Sequence, residues 1–125
     1  MVRCMSEVSS EPLGQRLDAA VAAMRARAPA GFVPRVGVVL GSGLGAFGDA
    51  VAAQGGTKIP YQEIGLPSSA IVGHAGNLCL GHVRGVPVAC MQGRVHGYEG
   101  HSPDRVVFAV RALARWGCQA FVLTN

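Results

Sequence analysis

The chain has 125 residues, half of them hydrophobic and only 14% charged, which suits one packed domain and excludes a disordered polar segment or two ordinary domains. Its formal net charge of +4 comes mostly from scattered arginines, with no basic block and too few aromatics for a nucleic-acid platform, although a moderate positive excess suits a small anionic ligand. No apolar run approaches the roughly 20 residues of a membrane span, and the opening "MVRCMSEVSSEP" lacks the apolar core of a secretory signal.

Residues 11–28, "EPLGQRLDAAVAAMRARA", carry Leu13, Leu17, Ala20, Val21 and Met24 at helical spacing. Ser10 is a candidate cap and Pro12 suits the first turn. Pro34 and the preceding "PAGF" stop the helix. "RVGVVLG" at 35–41 is a continuous β-branched run, the pattern of a buried strand. "GSGLGAFGDAV" then turns the chain through glycines into a short helix. "GTKIPYQEIGLPSSAIVGHAG" reads as irregular because of Pro60, Pro67 and its glycines. "NLCLGHVRG" and "VPVACMQG" read as a hairpin turning at Arg84-Gly85. "SPDRVVFAVRALARWG" at 102–117 predicts a helix, with Ser102 as cap, Pro103 at its first position, Asp104 in its first turn and Gly117 at its end. "QAFVLTN" at 119–125 predicts another buried strand.

Strands alternating with helices, and apolar on both faces, predict an α/β fold: a mixed, partly parallel sheet flanked by helices. Ligands of such sheets gather beyond the C-terminal ends of the strands. Here those ends carry Gly41-Ser42-Gly43, Arg94-x-His96 and Thr124-Asn125. Cys4, Cys79, Cys90 and Cys118 form no CxxC pair and no zinc-like spacing with histidine. Cys79, Cys90 and Cys118 lie in apolar runs and read as buried thiols, which fits a reducing cytoplasm.

"GSGLG" at 41–45 follows a strand and opens a helix, where backbone amides and the Ser42 hydroxyl can face an anion; a plain turn is the alternative. Gly41, Gly43 and Ala46 also satisfy the dinucleotide fingerprint, with Glu63 about 20 residues on. That reading needs a clean second parallel strand ending at the acid, for which "GTKIPYQEIG" is a poor candidate. In "MQGRVHGYEG" at 91–100, Arg94, His96 and Tyr98 recur every second residue and share one face of an extended chain. Arg94 offers a fork of donors matched to phosphate oxygens, and His96 adds a donor whose protonation responds to a nearby anion. Glu99 either orients one of them or simply pairs with Arg94. His74, between glycines in "VGHAG", is a candidate ligand or a structural histidine; His82 and His101 have no such setting.

Together and in this order, "VGVVLGSGLGAF", "IPYQEIGLPSSAIVGHAGNL", "MQGRVHGYEGHSP" and "FVLTN" resemble the purine nucleoside phosphorylases of the trimeric, low-molecular-mass class, over roughly residues 10–125. Ser42, Tyr98 and Glu99 favour that branch over the related methylthioadenosine phosphorylases. The resemblance implies a phosphorylase-type α/β/α sandwich in which Ser42, His74, Arg94, the Val95 backbone and His96 bind phosphate. It also implies that Glu99 braces that site, that Tyr98 contacts the ribose, and that Asn125 opens a turn holding phosphate and sugar. Arg94, His96 and Glu99 are thus the expected catalytic residues. The implied reaction is phosphate-dependent cleavage of the N-glycosidic bond of purine (deoxy)ribonucleosides, giving free base and (deoxy)ribose 1-phosphate. It uses no metal or organic cofactor, only inorganic phosphate as co-substrate. The expected setting is a cytoplasmic homotrimer when full length, with no nucleic acid or membrane partner. The family's chains continue for about as many residues again, and the continuation carries purine recognition. The 125 residues are therefore expected to be the N-terminal portion of a single phosphorylase domain with its C-terminal half absent. The alternative function is that of a catalytically inactive truncated fragment retaining part of the phosphate and ribose site.

Overall fold

The computed structural model describes residues 12–41, 43–53, 55–66, 76–93 and 103–124, with the backbone alone for 103–106. The elements, in chain order, are α1 (Leu13–Arg27), β1 (Val36–Val39), α2 (Gly45–Ala53), β2 (Thr57–Pro60), a 3-10 turn (Tyr61–Glu63), β3 (Asn77–Val83), β4 (Val86–Gln92), α3 (Pro103–Trp116) and β5 (Ala120–Leu123). They build one five-stranded sheet in the order β2-β3-β4-β1-β5. β1 pairs in parallel with both β4 and β5, whereas β2, β3 and β4 are successively antiparallel. The mixed sheet expected from the sequence is therefore present.

α1 buries Leu17, Ala20, Val21 and Met24, one stripe at i, i+3, i+4 and i+7. Its start corrects the expected capping. Pro12 occupies the N-cap position itself, one place before the first turn, and no side chain caps the helix. The proline ring holds φ at −58° with ψ at 145°, the extended geometry of a cap. Its carbonyl accepts hydrogen bonds from the Gln15 and Arg16 amides, both at 3.1 Å. Ser10 lies outside the described residues. The helix ends where Ala28 turns extended, as the residue before a proline prefers.

The two sheet faces carry different layers. Val39, Leu78, Leu80, Ala89 and Met91 point towards α1 and α3, meeting Met24, Phe108, Leu113 and Trp116. Val38, Leu40, Cys79, Val88 and Cys90 point the other way, towards Val51 of α2. Neighbouring residues of β1, β3 and β4 thus alternate between two apolar layers, and a strand buried on both faces needs the continuous apolar run seen in the sequence. The result is an α/β/α sandwich. Cys79, Cys90 and Cys118 are buried in it, and burial pushes the Cys79 thiol up to about 11 and those of Cys90 and Cys118 up to about 12.

Two strand expectations need correction. Residues Thr57–Pro60 form β2, not an irregular segment. Pro60 argues against a strand, but among the described residues β2 is an edge strand with β3 as its one neighbour, a position where a missing amide donor is tolerated. β5 is not buried: it lies at the opposite edge, with Val122 51% and Leu123 66% exposed. Apolar composition alone does not separate a central strand from an edge strand with one neighbour.

The β3–β4 hairpin turns at Arg84-Gly85 as expected, with Val83 opposite Val86 and φ of 52° and 82° at the two turn residues. Positive φ at both positions matches the right-handed strand twist. Arginine is strained there, so Arg84→Asn should stabilise the chain by about 0.5–1 kcal/mol, read as a higher urea midpoint. Gly81 has the opposite sensitivity. A Cβ at Gly81 would sit 2.0 Å from the Val51 carbonyl oxygen of α2, and backbone cannot step aside. Gly81→Ala should therefore lower stability by on the order of 1–3 kcal/mol. An unchanged midpoint would mean that α2 does not press this closely on β3.

Candidate functional site

The register brings one end of every strand to a common edge. Val39 at the end of β1 lies opposite Met91 near the end of β4 and opposite Leu123 at the end of β5. β3 runs the other way, so its first residue, Asn77, pairs with Gln92, the last of β4, and with Pro60, the last of β2. Gly41 and Gly43 flank Ser42, Gly76 follows two residues after His74, Gly93 precedes Arg94, and Thr124 precedes Asn125. The candidate side chains of Ser42, His74, Arg94, His96, Tyr98, Glu99 and Asn125, and the Val95 backbone, lie outside the described residues. The described residues that lead into or out of each of these segments meet at this one edge.

The glycine loop is tied down by its neighbours. The Leu40 amide continues the parallel ladder to the Met91 carbonyl at 3.0 Å. The chain then turns, with the Leu44 amide donating to the Gly41 carbonyl at 3.3 Å and Gly43 at φ 80°. Thr124 clips this turn to β5. Its Oγ1 accepts from the Gly41 amide at 2.8 Å and donates to the Val39 carbonyl at 2.9 Å. Its own amide donates to that same carbonyl at 3.0 Å. One hydroxyl therefore continues the sheet where the ladder would otherwise fray.

A second polar cluster joins α2, β3 and β4. The Gln92 Nε2 donates to the Gly45 carbonyl at 2.7 Å and to Asp49 Oδ1 at 2.9 Å. Gln92 Oε1 accepts from Asn77 Nδ2 at 3.1 Å. Lys58 of β2 pairs with the same Asp49 oxygen. The Lys58 hydrogen bond, and then the one from Gln92, hold the Asp49 carboxyl below its ordinary value, while Asp49 raises Lys58. The Asp49 contribution is therefore present above the ordinary carboxylate range and lost as pH falls through its lowered value. That of Lys58 is present below its ordinary range and lost as pH rises through its raised value.

Thr124 was marked in the sequence only as part of a polar strand end, whereas Gln92, Asn77 and Asp49 gave no functional signal, because two neutral amides and a single acid form no motif. The usable clue was position: Gln92 ends a strand two residues before Arg94. The dinucleotide reading fails on topology. β2 runs antiparallel to β3 at the far edge of the sheet rather than parallel beside β1. Glu63, its candidate ribose acid, is paired with Arg27 at 2.5 Å. His82 stands exposed near the hairpin turn, edge-on to Phe32 with ring centroids 5.6 Å apart, away from the strand-end cluster.

No family model matches the chain. Purine nucleoside phosphorylase 1 of Bacillus subtilis (strain 168) is 40% identical over 111 residues, covering 88% of this chain and 40% of that protein. Purine nucleoside phosphorylase 1 of Geobacillus stearothermophilus is 44% identical over 93 residues, covering 74% of this chain and 33% of that protein. Among solved structures, the Schistosoma mansoni purine nucleoside phosphorylase in complex with acetate superposes with a TM-score of 0.78 at 34% identity, over 89% of this chain and 40% of that one. A purine nucleoside phosphorylase in complex with ribose-1-phosphate gives a TM-score of 0.79 at 34% identity, with the same coverage. The chain thus spans 33–40% of the length of these two curated relatives, matching their N-terminal part.

Thr124→Val keeps the shape of the side chain and removes the hydroxyl, leaving the Gly41 amide without its acceptor. It should lower stability by about 1–3 kcal/mol. Native-state hydrogen exchange should show the Gly41 amide losing protection ahead of the β1 core. Retained protection at Gly41 would mean that another acceptor holds the loop.

Proposed function

We propose that this chain, which belongs to the purine nucleoside phosphorylase family over the portion it spans, supplies the phosphate-holding side and part of the ribose contact of a site for purine nucleoside phosphorolysis. The observation that carries the reading is the convergence, on one sheet edge, of the described residues bordering every motif that resembles the family.

In the proposed reaction a phosphate oxygen bonds to the anomeric carbon of the sugar. The bond from that carbon to the purine nitrogen breaks, and its electron pair leaves with the base, which takes up a proton. The sugar passes through an oxocarbenium-like state, as in glycoside cleavage. Phosphate stripped of water and fixed beneath that carbon supplies proximity and a negative charge facing the developing cation. By resemblance, Ser42, His74, Arg94, the Val95 backbone and His96 hold the phosphate, with Glu99 bracing them. Tyr98 and Asn125 face the sugar. These groups do the work without a metal or an organic cofactor. A homotrimeric assembly and a cytoplasmic location belong to the same proposal. Among the described residues no helix is long and apolar enough to cross a membrane.

Because the chain spans only 40% of the Bacillus subtilis relative, a second reading is that of a partial site that binds phosphate without turnover. Phosphate-dependent cleavage of inosine, measured for the chain alone and mixed with the separately expressed C-terminal portion of that relative, distinguishes the two. Turnover is expected only in the mixture. Turnover by the chain alone would place base departure among the residues present here. Phosphate-independent cleavage in the mixture would remove the phosphorolysis reading altogether.

Arg94→Ala should weaken phosphate use by about 10²–10³-fold, because a charged fork on a desolvated anion is worth on the order of 2–4 kcal/mol. Arg94→Lys should recover only part of the loss, since a point charge cannot reproduce two parallel donors. Near-normal phosphate dependence in Arg94→Ala would remove this residue from the clamp.

A further inference from the structure

The geometry points to Gln92 as a positioning residue that sets three of the phosphate-site segments relative to one another. The inference rests on the phosphate reading above but is carried by hydrogen bonds among described residues. Gln92 holds the last ladder position of β4, two residues before Arg94. Its Nε2 reaches the Gly45 carbonyl and Asp49 Oδ1, in the first and second turns of the helix that the glycine loop opens. Its Oε1 takes the Asn77 amide, three residues after His74. One side chain therefore touches the exit of β4, the start of α2 and the entry of β3.

Only a carboxamide satisfies all three partners. The Gly45 carbonyl and the Asp49 carboxylate are acceptors and need two donors, while Asn77 Nδ2 needs an acceptor. The same partners fix which end of the amide faces α2. The bond to Gly45 is not the rescue of an orphaned carbonyl, because an oxygen in the first turn already accepts from within its helix. What the bond adds is registry between helix and strand. Packing reinforces it: a Cβ at Gly48 would lie 3.0 Å from Gln92 Nε2 and 3.3 Å from Gln92 Cβ. α2 thus sits as close to Gln92 as a missing side chain allows, and the glycine loop that opens it is held to the end of β4.

The consequence is geometric. Phosphate contacts drawn from three segments act together only if their spacing is held, and a misplacement of about 1 Å can cost about 10²-fold in a reacting site. Gln92→Leu keeps the approximate volume and deletes all three bonds. Gln92→Glu keeps the Asn77 contact but sets a carboxylate against Asp49 and the Gly45 carbonyl. Adding Asp49→Asn gives that carboxylate a donor and should reverse part of the damage.

The test is a two-dimensional amide spectrum of the 125-residue chain and of these variants, recorded without ligand and in a titration with inorganic phosphate. In Gln92→Leu, the amides of Gly41, Gly43 and Gly76, none adjacent to the substitution, are expected to move without phosphate. The dissociation constant for phosphate should rise by about tenfold or more. Gln92→Glu should behave similarly or worse, and Gln92→Glu with Asp49→Asn should lie closer to the unsubstituted chain in both measures. Unmoved glycine amides, or moved amides with unchanged phosphate affinity, would overturn the inference. Should Gln92→Leu fail to fold, the comparison of Gln92→Glu with its double variant decides, and absence of any recovery counts against it. If the unsubstituted chain shows no saturable phosphate shift, the phosphate reading itself fails, and the ligand-free displacements alone decide whether Gln92 positions these segments.

Discussion

The structure depends on β1 lying in parallel between β4 and β5. Parallel neighbours cannot be joined by tight turns, so the chain must leave the edge after each strand and return by a crossover. The run from β1 into α2 and the run from β4 through α3 to β5 both begin at that edge. The antiparallel β2–β3–β4 portion adds the start of β3 and the end of β2 to the same place. Convergence of chemistry-bearing segments is thus a consequence of strand direction, before any side chain is considered.

Strand direction brings segments near each other but does not fix their spacing. That task falls to side-chain hydrogen bonds at the edge. The Thr124 hydroxyl bonds to the Gly41 amide and the Val39 carbonyl, and the Gln92 carboxamide bonds to Gly45, Asp49 and Asn77. Thr124 joins β5 to the start of the glycine loop, and Gln92 joins the end of that loop to β4 and β3. The loop is therefore held at both ends by strands whose continuations carry the remaining motifs. A carbonyl has a second lone pair beyond its ladder bond, and both devices use it, so neither competes with the secondary structure it anchors.

Much of this fold was legible in the sequence because apolar periodicity survives any tertiary context. The stripe Leu17, Ala20, Val21 and Met24 marked α1, and the run Val36–Leu40 marked a strand buried on both faces. Arg84-Gly85 between two apolar runs marked the hairpin. What was not legible depends on neighbours. Pro60 counts against a strand unless the strand lies at an edge, and edge position is a property of the whole sheet. "AFVL" at 120–123 has the composition of a central strand, yet among the described residues it has one partner. The candidate site divides in the same way. Residues with distinctive chemistry, such as Arg94 and His96, stood out, whereas Gln92 and Thr124 act through hydrogen-bond partners that only the register reveals.

The charged pairs occupy a different level of the hierarchy. Arg115 joins Asp18 at 2.8 Å across α3 and α1, Arg27 joins Glu63 at 2.5 Å, and Lys58 joins Asp49. All six side chains are more than 40% exposed, so solvent screens each pair, its contribution to stability is small, and it weakens with salt. The two apolar layers supply the stability, and the side-chain bonds of Thr124 and Gln92 at the sheet edge supply the registry. The Lys58–Asp49 pair bridges these roles. Asp49 is the described acid bonded to Gln92, and a bare carboxylate there would oppose an anion approaching the start of α2. Lys58 pairs with that carboxylate and offsets its charge. The edge thus gains an acceptor for Gln92 while keeping its local field close to neutral, which leaves the recognition of an anion to groups on the segments that the edge brings together.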